Sequence, residues 1–147
     1  MEVQSATLAA KRANRAGITA IESALHGMRD AIGDSPDFAD ETAETSFHVY
    51  DFGFHEAVAL ASGNRVLGYL FEAMASPLRE SFFISQRGHA ERGHTPQDTV
   101  AAHQRILDCI REGNGRAAAE AMRIHLRDTE RDIRTAVTKM SPAPSRS

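Results

Sequence analysis

Ile18, Ile21, Leu25, Met28 and Ile32 recur at spacings of 3, 4, 3 and 4. At that interval side chains return to one face of an α-helix, so this stretch must bury a stripe against other elements. Similar helical periods run through almost the whole chain, and no segment alternates apolar and polar residues as a half-buried strand would. The fold class is therefore all-α. With 147 residues the chain is about one domain by the usual ~100–200 residues per domain, so these faces close on one core.

Turn-forming residues divide the periodic stretches into about six helices. The first is expected from about Val3 to Ala16 with a break at Gly17, and the second from Ile18 to Ile32, stopped by Gly33-Asp-Ser-Pro36. A third spans about Asp40 to Ser62. Gly63 ends it and Asn64 caps the next helix, which carries Leu67, Leu70, Phe71, Met74 and Leu78 and is kinked or interrupted at Pro77. Ser85 to His94 holds two Arg-Gly-His triplets without an apolar period and reads as a mobile surface loop. Thr95 and Pro96 open the fifth helix as N-cap and first position, and Gly113-Asn-Gly115 closes it. The last helix turns Ala118, Ala121, Met122, His125, Thr129 and Ile133 inward. The domain is expected to cover residues 1–140, with the Pro/Ser-rich tail 141–147 frayed.

Charge and composition exclude several functions. A net charge of −3 and scattered arginines offer no grip on nucleic acid. No run approaches the ~18 apolar residues of a membrane helix. The first residues, Met-Glu-Val-Gln-Ser-Ala, lack the features of a secretory leader, so a cytoplasmic protein is expected. The single cysteine, Cys109, sits beside Ile106, Leu107 and Ile110 and reads as a small core residue.

Asp51 and His55 are one helical turn apart and fall in the same sector as Phe47, Phe54 and Val58. His103 shares a face with Val100, Ile106, Leu107 and Ile110, and His125 lies on the inner side of the last helix. A lone inward histidine is usually a hydrogen-bonded core residue. Four inward polar groups are a different matter, because each would cost several kcal/mol to bury unpartnered and a shared cation relieves all of them. An Asp/His/His/His set suits zinc, nickel, manganese or iron. His26 and His48 read as helix surface or rim, and His89 and His94 as loop residues, all solvated. Glu56 is rotated about 100° from His55 around the helix and reads as a surface carboxylate or one that contacts a ligand from outside.

Several short motifs occur in a fixed order: Glu2-x-x-Ser-Ala-x-Leu8-Ala-Ala10; Asp51-x-x-Phe-His55 followed by the turn at Gly63-Asn64; Ala102-His103-Gln-Arg-Ile106-Leu107; Gly113-Asn-Gly115; and Met122-x-x-His125-Leu126. Together they resemble the FCD domain, the effector-binding C-terminal domain of FadR-type GntR transcriptional regulators, over nearly the whole chain. The resemblance implies an antiparallel helical bundle with an internal metal and effector cavity. Asp51, His55, His103 and His125 would hold a divalent metal, zinc foremost, with open coordination positions for a small carboxylate effector. One divalent ion, three neutral imidazoles and one carboxylate leave about one net positive charge, which favours an anionic guest. Arg79 would clamp that guest, or else serve as a surface salt-bridging residue. A homodimer is also implied, as is operator DNA bound through an N-terminal winged helix-turn-helix. No segment of this chain resembles that domain, which suggests a shortened chain or a stand-alone sensor. Ala102 departs from the family, which commonly has Glu there. Two other readings stay open: a metalloenzyme on the same four residues, for which no general base is evident, and a metal-free dimerisation domain. A regulator rather than an enzyme is expected.

Overall fold

The computed structural model describes residues 1–34 and 37–140, which form seven helices. These are α1 (Glu2–Arg12), α2 (Arg15–Ile32), α3 (Glu41–Ala61), α4 (Arg65–Ala73), α5 (Ala75–Glu91), α6 (Pro96–Arg111) and α7 (Gly115–Met140). The expected frayed tail and Pro36 lie outside the described residues.

Most boundaries follow from local chemistry. The Asp40 carboxylate accepts the Ala43 N–H at 2.8 Å and starts α3. Asn64 Oδ1 accepts from Val66 and Leu67 at 2.9 and 3.3 Å and starts α4. Thr95 and Asp98 form a reciprocal capping box on α6, with Pro96 at its first position. The α4/α5 break falls at Met74, three residues before Pro77. Pro77 lacks an N–H and its ring would strike the carbonyl four residues back, that of Ala73, where α4 stops.

Two boundaries differ from expectation. The first break lies at Ala13-Asn14 and not at Gly17, because Asn14 Oδ1 accepts the Gly17 N–H at 2.8 Å and nucleates α2. Gly17 sits within the first turn of α2, where its bare Cα lets α2 approach Ala61 closely. Ser85 to His94 is not a loop but mostly the second half of α5, and the break at Met74 makes α4 and α5 two of the seven helices among the described residues. Its apolar period is faint because α5 packs on α7 partly through backbone. A Cβ on Gly88 would stand 1.6 Å from the Asp132 carbonyl oxygen.

The main core joins α1, α2, α3, α6 and α7 through Ala6, Ala9, Ile21, Leu25, Met28, Phe47, Phe54, Val58, Ile106, Leu107, Ile110 and Met122. The α2 stripe from Ile21 to Ile32 is thus buried within one chain. Cys109 packs half-buried against the same core. A smaller cluster of Phe52, Ala59, Phe71 and Phe82 holds α4 and α5 to α3. Among the described residues, no helix is long and apolar enough to cross a membrane.

Candidate metal centre

Helix α3 brings Asp51 and His55 to its buried side, α6 brings His103, and α7 brings His125; all four are at most 8% exposed. Nitrogens of the three histidines lie within 4.8 Å of one another, a group able to hold a metal ion. Their rings form one packed unit: His55 stacks on His125 with centroids 5.3 Å apart, and His103 meets His125 edge-on at 4.6 Å. Phe54 and Phe82 close over the rings of His103 and His55 at 4.4 and 4.5 Å.

Hydrogen bonds fix which nitrogen each ring offers. The Thr99 carbonyl lies 2.8 Å from His103 Nδ1 and can only accept, so the proton sits on Nδ1. His103 Nε2 then faces Asp51 Oδ1 at 2.8 Å. A lone pair facing a carboxylate at that distance demands a cation or a proton between them. His55 repeats the pattern. Its Nδ1 is engaged by Glu2 of α1, which leaves Nε2 buried with no hydrogen-bond partner and 3.6 Å from Asp51 Oδ1. Outer partners that fix a ring's tautomer and aim the opposite nitrogen inward are the usual support of histidine metal ligands. On this evidence the donor set fits a divalent ion.

Electrostatics follows the same arrangement. Burial would lower the His55 pKa, but the carboxylates of Glu2 and Asp51 outweigh it and raise it from 6.5 to about 10. Burial would raise Asp51, yet hydrogen bonding to His103 and the charge of His55 hold its carboxyl well below the ordinary range. His125 is pushed well below 6.5 by burial and by the neighbouring His103 and His55, so at neutral pH it offers a free lone pair. The centre is built to hold positive charge between Asp51 and Glu2.

A cavity of about 270 Å³ opens beside this cluster, with Asp51 and His125 in its wall. Ser85, Gln86, Thr99 and Thr129 supply neutral polar groups to it. Arg92, also in its wall, pairs with Asp132 at 2.5 Å.

The structure brings Asp51, His55, His103 and His125 together but sets Arg79 apart. The Arg79 guanidinium lies 4.4 Å from the centroid of Phe52 and lines a different cavity. His89 departs from expectation. Far from being solvated, it is 9% exposed, with Nδ1 3.1 Å from Asp132 and Nε2 2.9 Å from the Thr95 carbonyl. His26, His94 and Glu56 are exposed as expected, and His48 is half-buried. Glu2 was not assigned a role from the sequence, because no helical phase links it to a histidine 53 positions away.

Three imidazoles and a carboxylate, buried beside a polar cavity, define a helical ligand-binding domain able to hold a metal. The chain belongs to the FCD domain family, whose model matches residues 1–128. It is similar to the HTH-type transcriptional regulator LutR of Bacillus subtilis (strain 168), 31% identical over 131 residues that cover 88% of this chain and 56% of that protein. It is also similar to the galactonate operon transcriptional repressor of Escherichia coli (strain K12), 32% identical over 121 residues, 82% of this chain and 48% of that one. The chain thus spans about half the length of these curated relatives, both named as transcriptional regulators rather than enzymes.

Proposed function

We propose that this chain is the effector-sensing domain of a GntR-type transcriptional regulator, and that Asp51, His55, His103 and His125 hold a divalent metal, zinc foremost. The observation that carries this reading is the buried, partnerless Nε2 of His55 beside a His103 whose Nδ1 is already committed to Thr99. When bound, the ion would supply a Lewis-acidic anchor for an anionic guest. The chain's own residues do the rest. Glu2 and the Thr99 carbonyl hold the two rings in the correct tautomer, Phe54 and Phe82 exclude water from them, and His125 forms the border with the cavity.

The effector best suited to the cavity is a small carboxylate that carries hydroxyl groups. Ser85, Gln86, Thr99 and Thr129 offer neutral donors and acceptors for hydroxyls, whereas Arg92 is already neutralised by Asp132 and is poorly placed to bind a second carboxylate. The name of one relative, a galactonate operon repressor, points the same way. In the full regulator such a guest would act by favouring one arrangement of a homodimer on operator DNA, to the extent that it binds the two arrangements unequally.

Elemental analysis of the tag-free protein tests the metal, with about one ion per chain expected and lost in His103→Ala. Thermal shift with hydroxylated and plain carboxylates tests the guest, and a larger shift for the hydroxylated acids is expected. Protein that stays metal-free after reconstitution would refute the reading and leave the four residues as a hydrogen-bonded polar core.

A further inference from the structure

A second cavity, of about 360 Å³, lies between α3 and α5 and is lined by Thr45, His48, Val49, Phe52, Arg79 and Phe83. Its volume is within the ~300–1,000 Å³ of small-molecule sites. The walls are largely apolar and unfilled: Val49 is 62% and Phe83 41% exposed. Two guanidiniums stand over its rings, Arg79 over Phe52 at 4.4 Å and Arg87 over Phe83 at 5.2 Å. Among the described residues, neither arginine has a carboxylate within ion-pairing distance, although eleven acidic side chains are so engaged with Arg, Lys or His. No acidic residue lines the cavity.

His48 also borders the cavity, its ring tilted at 52° to that of Phe83 with centroids 5.0 Å apart. Both ring nitrogens of His48 are buried without a hydrogen-bond partner; the closest carboxylate oxygen, on Glu44, is 3.7 Å from Nε2 and out of hydrogen-bond reach. Unpaired buried polar atoms are costly, and here they border a space that also has an unpaired cation and exposed aromatic surface.

We infer that this cavity is a second ligand site, distinct from the histidine centre, and that it takes a small carboxylate with an aromatic body. The ring packs between Phe52, Phe83 and Val49, and the carboxylate pairs with Arg79, whose planar fork suits two parallel hydrogen bonds. Such a guest differs in kind from the hydroxylated acid suited to the other cavity, whose wall has one phenylalanine and an arginine already paired with Asp132. His48 and Phe52 flank Asp51 on α3, so an occupant here would press on the helix that carries two of the four clustered residues.

The probe is 2-naphthoate, titrated into the intact chain by calorimetry, with 2-naphthalenemethanol as the uncharged control and acetate as the ringless one. Binding of naphthoate alone among the three is expected. It should weaken at least about tenfold in Arg79→Gln, the loss of a charge-assisted hydrogen bond, and should vanish in Thr45→Trp, which fills the cavity. It should persist in chelated protein and in His103→Ala, which separates this site from the histidine centre whatever becomes of that assignment. Absence of binding, equal binding of the uncharged control, indifference to both cavity variants, or dependence on metal would each overturn the inference. So would a dimer that Val49→Asp dissociates and naphthoate leaves intact, since the face would then be an interface between copies.

Discussion

Replacing His103 by Ala removes the most enclosed member of the cluster, and the structure sets the size of the effect. His103 is fully buried, and its loss strips Asp51, itself 4% exposed, of its 2.8 Å partner. Deleting one partner of a buried pair costs about 3–5 kcal/mol when the other charge is left uncompensated, and His55, 3.6 Å from Asp51 Oδ1, sets the expectation toward the lower end. For a chain of this size 1 kcal/mol moves the melting temperature by about 2–4 °C, so a fall on the order of 6–20 °C is expected in chelator. Zinc adds a separate contribution. At a hundredfold excess over its Kd it stabilises the wild-type protein by about 2.7 kcal/mol, and the variant, with a broken donor set, should gain little of this. Circular dichroism melts of both proteins, with chelator and with zinc, give four midpoints. Equal zinc shifts in the two proteins would show that His103 is not a ligand. A variant within about 1 kcal/mol of wild type in chelator would refute the buried-pair argument itself.

Glu2→Gln should weaken metal binding by about 10–100-fold, the usual effect of losing an outer partner that orients a ligand, measured by competition with a chromophoric chelator. In chelated protein, stability should fall as pH rises from about 6.5 through about 10. His55 has its pKa raised to about 10, so its contribution is complete below 6.5 and lost above the folded value. His89, also raised, adds to the same slope, while His125, lowered, stays neutral across that window and adds none. Denaturant midpoints across the range check this, and a flat or rising profile would contradict it. Gly88→Ala should destabilise by about 3 kcal/mol or more in chemical denaturation, although alanine ordinarily gains about 1 kcal/mol over glycine inside a helix, because its Cβ would overlap the α7 backbone.

Legibility in the sequence followed the range of the interaction. Asp40, Asn64, Thr95 and Pro96 act on amides within a few residues, and the boundaries they govern are where the sequence places them. The inward phase of Asp51, His55, His103 and His125 was equally readable, since each sits among apolar neighbours at helical spacing. What escaped depends on long-range geometry. The Arg-Gly-His segment looks like a loop because its inner face is formed by Gly88 against backbone and by His89 against Asp132, neither of which contributes an apolar period. Gly17 reads as a breaker, yet the side chain of Asn14 converts it into a first-turn residue. Arg79 reads equally as an effector clamp or a surface residue, because which cavity it lines depends on which side of α5 meets α3, and the sequence shows only half of α5.

Glu2 makes the first helix part of the histidine cluster through its contact with His55. A carboxylate that raises the basicity of an imidazole does so only from its own position, so any force that slides or tilts α1 retunes His55 at once, with no intervening relay of side chains. The relation runs in both directions. An ion taken up at Nε2 in place of a proton would leave the contact of Nδ1 with Glu2 intact, so occupancy of the centre and docking of α1 favour each other. In this respect α1 is an outer support of the histidine cluster as well as a packing element of the core.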